Sequence, residues 1–331
     1  MPLYLHGLGH FHPENEITNR FLEELDIGTT EEWILERVGI RSRRTVLPLD
    51  YIRNTKNRDI REAYEASPYG NTRTGALAAR MAVERAGIAP GDIGLVISGG
   101  SAPDSLTPAE AATIAGELGI DAPCFDLNSA CTSFGMQVAF VSRMNPEHLP
   151  DFILLVNPEN LTRSIDYSDR ASAVLFGDGS AAAVLSASVP SGIAISGCEA
   201  FSKPSACEKV SIRRTGYFTQ DGNAVQGFAI RRTTESLQGF RREGVENGGR
   251  LLFVGHQANL GMLQSVCARA GIGEAGHWHN VEHFGNTGAA GAPSVLSQRW
   301  GDLRPGDRVA VALVGAGLTW TSMELNVRSS A

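Results

Sequence analysis

Residues 123–132 run Pro123-Cys124-Phe125-Asp126-Leu127-Asn128-Ser129-Ala130-Cys131-Thr132. The first five read as a short strand, Asn128-Ser129-Ala130 stops it, and a helix is expected from about Thr132. Strands that hand over to helices are the repeating unit of layered α/β proteins. Upstream, Gly94 to Gly99 reads as a buried strand. Thr107 to Leu118 reads as a helix, with Thr107 as N-cap, Pro108 at the first helical position and Glu110 three residues after the cap. Downstream, Phe152 to Val156 and Ala181 to Leu185 read as further strands. The second half follows the same grammar: a strand at Leu251 to Val254, a helix from Asn259 to Ala270, and a strand at Val309 to Val314 that ends in Gly315-Ala316-Gly317. The similar order permits a duplication, although no sequence-level repeat proves one. Residues 45–70 stand apart as polar and weakly periodic, and are expected to form an inserted lobe or surface loop, helical in part.

Composition narrows the function classes. The chain has 331 residues, 42% hydrophobic and 20% charged, which is ordinary for a globular protein. A net charge of −7 disfavours nucleic acid as a partner. No apolar run approaches the roughly 20 residues needed to cross a bilayer. The start of the chain lacks a basic region followed by an apolar segment, so the expected compartment is the cytoplasm. Five cysteines, at 124, 131, 198, 207 and 267, match no zinc or disulfide spacing.

Cys131 is the cysteine that carries chemistry. It sits between a strand and a helix, near first-turn N–H groups whose partial positive charge favours thiolate. By itself such a residue is also consistent with a plain core thiol. Two further segments bear on the choice. Gly255-His256-Gln257-Ala258-Asn259-Leu260 follows a strand directly, and Phe284-Gly285-Asn286-Thr287-Gly288 is a glycine-rich turn leading into a small-residue helix. Each places a polar side chain at a strand-to-helix junction. Alone, His256 reads as a structural histidine and Asn286 as a helix cap. With Cys131 they make a Cys/His/Asn set suited to acyl transfer.

The ordered motifs resemble the ketoacyl synthase III branch of the thiolase-like condensing enzymes over nearly the whole chain. The resemblance includes Glu32-Trp33-Ile34, Gly39-Ile40-Arg41, Asn128-Ser129-Ala130-Cys131, Ser168-Asp169-Arg170, Phe176-Gly177-Asp178-Gly179-Ser180, His256-Gln257-Ala258-Asn259-Leu260, Gly285-Asn286-Thr287 and Gly315-Ala316-Gly317-Leu318-Thr319-Trp320. It implies a thiolase-like fold of two similar α/β halves, layered αβαβα, in a homodimer. Residues 1–186 would carry the nucleophile and residues 187–331 the His and Asn. Cys131 would take an acyl group from acyl-CoA. His256 and Asn286 would bind the carbonyl of a malonyl-type thioester and stabilise the enolate left by decarboxylation. The backbone N–H groups of Cys131 and Ala316 would hold the tetrahedral oxyanion. Thr29, Trp33, Arg37 and Arg170 would bind CoA, the Trp33 and Arg170 planes facing opposite sides of the adenine. No metal or redox cofactor enters the scheme, and acyl carrier protein is a candidate partner.

Four positions depart from better-known members. Val314 stands where many have a phenylalanine that shields decarboxylation. Gly261 stands where a basic residue often docks carrier protein. Thr132-Ser133 put hydroxyls after the nucleophile, where they could bind a polar acceptor. Thr107 falls where short-chain members send an aromatic ring into the partner's acyl pocket, so a primer longer or bulkier than acetyl is expected, unless Leu106 closes the pocket instead. These departures motivate an alternative, non-decarboxylating acyl transfer from Cys131 to an oxygen, nitrogen or preformed carbon nucleophile. A catalytically silent subunit of a heterodimer is a third reading, disfavoured by the intact Cys131, His256 and Asn286. His277, His279 and His283 would share a face if their stretch were a strand, but no carboxylate or thiol at matching spacing completes a metal site. Gly177-Asp178-Gly179 lacks the rest of a phosphate loop and reads as a structural turn. Arg231-Arg232, Arg241-Arg242 and Arg269 are candidates to face an acidic carrier protein.

Overall fold

A computed structural model describes residues 3–241 and 249–328, with side chains for all of these but Arg241. Nine strands build one mixed sheet. In chain order they are β1 (Leu3–Phe11), β2 (Ile93–Ser98), β3 (Cys124–Asp126), β4 (Phe152–Glu159), β5 (Gly179–Ser186), β6 (Ile193–Ser202), β7 (Leu251–Gly255), β8 (Arg308–Gly315) and β9 (Thr319–Val327). Their spatial order is β7-β8-β9-β6-β1-β5-β4-β2-β3. The β3/β2/β4 run and the β7/β8 pair are parallel, and the remaining neighbours are antiparallel. Strand β4, FILLVNPE, is buried along almost all its length and β5, GSAAAVLS, along all of it, as expected of strands covered on both faces. Strands before residue 187 form one side of the sheet and those after it the other. Among the described residues the strands of the two sides pair only where Leu3 meets Ile195 and Tyr4 meets Ala194. The expected boundary at 186/187 falls in the turn between β5 and β6.

The main helices are α1 (Glu31–Val38), α2 (Leu49–Thr55), α3 (Ile60–Ala66), α4 (Asn71–Ala86), α5 (Glu110–Leu118), α6 (Ser133–Val141), α7 (Gly222–Arg241), α8 (Leu260–Ala270) and α9 (Gly291–Gln298). Helices α4 and α5 cover the outer face of the first side, through Ala76, Ala79, Val83 and Ile114. Helices α7 and α8 cover the outer face of the second, through Ala229, Leu237, Leu263 and Val266. Between the two sides lie α6 and α9. Phe134, Val138, Val295 and Leu296 share one apolar cluster there with Leu155 and Leu185 of the first side and Val254, Val311 and Met323 of the second. The result is the five-layered αβαβα arrangement. Strand β1 and α4 approach so closely that a Cβ on Gly9 would lie 1.9 Å from the Ala78 carbonyl oxygen, and one on Gly7 2.2 Å from that of Ala82.

The structure corrects two local expectations and refines a third. Helix α5 starts at Glu110 rather than Thr107, because the Asp126 carboxylate accepts the N–H groups of Glu110 and Ala111 at 2.8 Å each and so supplies the cap. Residues 45–70 are largely helical and tied to the body: α2 and α3 bury Ile52 and Ala63, and Asn57 between them donates to the Arg163 and Ile165 carbonyls at 3.0 and 2.8 Å. The three histidines do not share a strand face. His277 meets β7 by a single bridge, its ring stacks between Phe253 and His279, and His283 lies in a short helix, Val281–Phe284. Among the described residues no His/Cys/Asp/Glu group is arranged to hold a metal, and no helix is long and apolar enough to cross a membrane.

Candidate active site

Cys131 lies in a single 3-10 turn, Ala130–Thr132, directly before α6. Ala130 has φ +47, a left-handed conformation uncommon for a residue with a side chain. Local bonds hold it there. Ser133 Oγ donates to the Ala130 carbonyl at 2.7 Å and accepts the Ser129 N–H at 2.9 Å, while Thr132 Oγ1 donates to the Ser129 carbonyl at 2.7 Å. Thr132 Oγ1 also meets Thr319 Oγ1 of β9 at 2.7 Å, which pins the turn to the second side of the sheet.

His256 follows β7, and its N–H continues the parallel ladder to the Ala312 carbonyl at 3.1 Å. Asn286 follows the helix Val281–Phe284 rather than a strand, and is anchored by its own N–H to the Leu175 carbonyl at 2.8 Å. Its side-chain Oδ1 accepts the Gly288 N–H at 3.0 Å. The two hydrogens on Nδ2 are therefore the end left for another molecule. Cys131, His256 and Asn286, which reach the site from three distant stretches of chain, line one cavity of about 480 Å³. Val314, Gly315 and Ala316 form its wall beside the nucleophile. A Cβ on Gly315 would stand 3.1 Å from the Thr132 nitrogen and 3.3 Å from the Cys131 nitrogen, so glycine lets β8 press against the backbone that carries the sulfur.

Burial sets the charge states. It pushes the Cys131 thiol up to about 12, with the Glu159 carboxylate adding to the rise and the Ser101 hydroxyl opposing it. The sequence argument from helix N–H groups pointed the other way, and desolvation outweighs it. Burial pushes His256 down to about 4, so at neutral pH its imidazole is uncharged and keeps one N–H to donate. A neutral thiol thus shares the cavity with two neutral hydrogen-bond donors.

Two family models match the chain: "3-Oxoacyl-[acyl-carrier-protein (ACP)] synthase III" over residues 125–204 and the corresponding C-terminal model over 241–327. A beta-ketoacyl-[acyl-carrier-protein] synthase III from Gloeobacter violaceus is 34% identical, covering 95% of each chain. The chain belongs to the ketoacyl synthase III family. The synthase III of Symbiobacterium thermophilum is 32% identical over 98% of both chains. Among solved structures, the Pseudomonas aeruginosa synthase III superposes with a TM-score of 0.84 at 28% identity, covering all of both chains. The priming beta-ketosynthase of the R1128 polyketide pathway superposes with a TM-score of 0.83 at 28% identity, covering 99% of this chain and 97% of that one. This protein is accordingly an acyltransferase of the condensing class with a thiolase-like fold.

The remaining residues singled out from the sequence are placed as follows. Trp33, Arg37 and Arg170 line the same cavity as Cys131, His256 and Asn286. Trp33 is held on α1, where Thr30 Oγ1 caps its N–H at 3.2 Å. The Arg170 guanidinium lies 4.9 Å from the Trp33 ring centroid and donates to the Gly28 carbonyl at 2.5 Å. A flat base between the two planes needs them about 7 Å apart, so Arg170 must swing outward to admit one. Thr29 is buried beside this pair without lining the cavity, and its hydroxyl is unpaired among the described residues. Leu106 and Thr107 also lie outside the cavity, on the surface, with Leu106 71% exposed. The hydroxyls of Thr132 and Ser133 are buried and spent on the turn, so they do not offer themselves to a polar acceptor. Arg231 and Arg269 are exposed. Arg232 lies 4.6 Å above the Trp320 ring. Arg242 and the Arg241 side chain lie outside the described residues. Sequence reasoning missed the buried Glu159, whose carboxylate accepts the Ser101 hydroxyl and the N–H of Ala289, in the turn after Asn286. The polar residues that follow the apolar run 152–156 were the available signal.

Proposed function

We propose that the chain takes an acyl group from acyl-CoA onto Cys131 and joins it, with loss of carbon dioxide, to a malonyl-type thioester, giving a β-ketoacyl product. One observation carries this reading: the Cys131, His256 and Asn286 side chains open into a single cavity that also reaches Trp33, Arg37 and Arg170. In this scheme the Cys131 sulfur displaces CoA and holds the acyl group. The neutral His256 N–H and the Asn286 Nδ2–H then bind the malonyl thioester carbonyl and stabilise the enolate that decarboxylation leaves. Its carbon attacks the acyl-Cys131 carbonyl. The oxyanion sits against the backbone N–H groups of Cys131 and Ala316, a kind of contact worth about 3–4 kcal/mol per donor. Collapse releases the product and regenerates Cys131. The residues themselves supply each step, with CoA present as substrate.

A primer bulkier than acetyl fits the cavity, since Val314 takes the place of a ring and Phe218, Phe228 and Met262 extend apolar wall away from the sulfur. Thr107 and Leu106 can contribute to an acyl pocket only through a second chain. A homodimer joined at β3 is the arrangement we favour. That strand ends the sheet, and Phe140 beside it is 42% exposed. Carrier protein is a candidate donor of the malonyl group, with Arg231 and Arg269 as cations for its acidic surface. The cytoplasm is the compartment that suits CoA thioesters.

Intact-mass analysis after incubation with acyl-CoAs of increasing length tests the first half, and a chase with malonyl-CoA or malonyl carrier protein tests the second. An acyl adduct lost in Cys131→Ala and discharged with carbon dioxide release is the expected result. An adduct that neither malonyl form discharges would overturn the condensation. Strict acetyl preference would overturn the bulky primer.

A further inference from the structure

Gln257 stands directly after His256, is wholly buried and is not among the residues that line the cavity. Its carboxamide is engaged at both ends. Nε2 donates to the Gly255 carbonyl at 2.8 Å, which folds the side chain back over the end of β7. Oε1 accepts the N–H groups of Asn280 and Val281 at 3.1 and 3.3 Å. These groups open the helix Val281–Phe284, which the Asn280 side chain does not cap. That side chain donates instead to Ser294 Oγ and Gln298 Oε1 of α9, at 3.0 and 3.1 Å. The stem of Gln257 packs on α9 as well, where a Cβ on Gly291 would stand 3.0 Å from its own Cβ.

The far end of the same short helix delivers Asn286. Gly285, with φ +66, closes its N–H on the Val281 carbonyl at 2.9 Å, and Asn286 comes next. One buried carboxamide thus ties the residue beside His256 to the start of the helix that presents Asn286. Among the described residues no other hydrogen bond joins residues 255–258 to residues 280–286.

We propose that Gln257 is a positioning residue that sets the spacing of the two donors, His256 and Asn286, for a single carbonyl oxygen. The inference rests on the reading above, in which both bind the malonyl thioester carbonyl and then the enolate. Two donors serve one oxygen only if each comes within about 2.7–3.1 Å of it. Donors on separate segments meet that condition when the segments are fixed to each other. A carboxamide suits the task because it donates and accepts at once and carries no charge. An apolar side chain of the same length would leave the Gly255 carbonyl and two N–H groups without partners, and the segments free to drift apart. Cys131 lies outside this bracket, in a turn held by Thr132 and Ser133. Gln257 therefore governs condensation and leaves acylation alone.

The test is Gln257→Met in the full-length protein, alone and combined with Asn286→Ala. Intact mass follows two rates: acylation of Cys131 by acyl-CoA, and discharge of the adduct by the malonyl thioester. Acylation should stay within about 2-fold of wild type, while discharge slows by on the order of 10²-fold. With Asn286→Ala already in place, Gln257→Met should add a loss of less than about 3-fold, because the donor it positions is gone. Equal losses with and without Asn286→Ala, equal losses in acylation and discharge, or an unchanged discharge rate would each overturn the proposal. Should Gln257→Met fail to fold, Gln257→Asn replaces it in the same comparison, its shorter arm reaching one partner segment but not both. Failure of the condensation reading would show separately, as wild-type adduct that the malonyl thioester does not discharge.

Discussion

Asn286 has an amide with two ends, and the Gly288 N–H occupies the oxygen. Only the nitrogen is left for another molecule, and on the proposed mechanism the residue donates and does not accept. Asn286→Ala should therefore leave acylation of Cys131 intact, a step that needs no such donor, while condensation slows by about 10²–10³-fold. Adduct formation followed by a malonyl chase separates the two steps, and an adduct yield that falls in parallel would refute the assignment. Gly315→Ala should slow both, because its Cβ presses on the Cys131 and Thr132 nitrogens. That Cys131, His256 and Asn286 belong together was legible in the sequence because each sits at a turn beside a strand or helix end, and the three line one cavity. Ser101 and Glu159 were not. They pair between the loop after β2 and the end of β4, and no local pattern records that. The thiol's charge was misread for a related reason: a helix start is visible in sequence, whereas the desolvation that overrides it comes from the whole surrounding fold.

Among the elements, the contact of β1 with α4 leaves no room for side chains. Gly9→Ala would bring a methyl group against the Ala78 carbonyl, and should cost about 1–3 kcal/mol or more, seen as a lower denaturation midpoint. An unchanged midpoint would mean that the two elements separate easily. The β3/α5 junction depends on Asp126, whose carboxylate closes two N–H groups at once. Asp126→Ala should cost about 1–2 kcal/mol. Buried strands such as β4 and β5 could be read from their apolar runs, and α8 from Asn259, which caps the Met262 N–H at 2.7 Å. The start of α5 could not. Thr107-Pro108 and Glu110 look like a helix start, but the cap comes from a residue sixteen positions away, on a neighbouring strand.

On the scale of the whole molecule, the buried carboxyls set an unusual dependence on pH. Burial raises Glu110 to about 8 from its ordinary 4.5, so between those values the native chain holds a proton that the unfolded chain has lost. Raising the pH through that window removes stability. Glu159 at about 7 and Asp178 at about 6 act in the same sense. His256 and His277, both lowered to about 4, act oppositely, but only below 6.5, where the unfolded imidazoles take up protons. Between pH 6.5 and 8 the carboxyls are left unopposed. The melting temperature should fall over that interval, and Glu110→Gln, which keeps an oxygen for Asn71 and Asp104, should flatten the fall. A wild-type melting temperature that rises over the same interval would contradict the burial described for Glu110.

Among the described residues the strands of the sheet's two sides pair at just two positions, and the middle helices α6 and α9 hold the sides face to face. On the proposed mechanism the nucleophile belongs to one side and its two donors to the other. Turnover therefore works as a strain gauge for that seam. A slip of about 1 Å between the sides, far too small to melt the protein, can cost on the order of 10² in rate by pulling sulfur and imidazole out of alignment. Trimming Val138 or Leu296 is then expected to be felt first at the bench as a sluggish catalyst, and only afterwards as a fragile one.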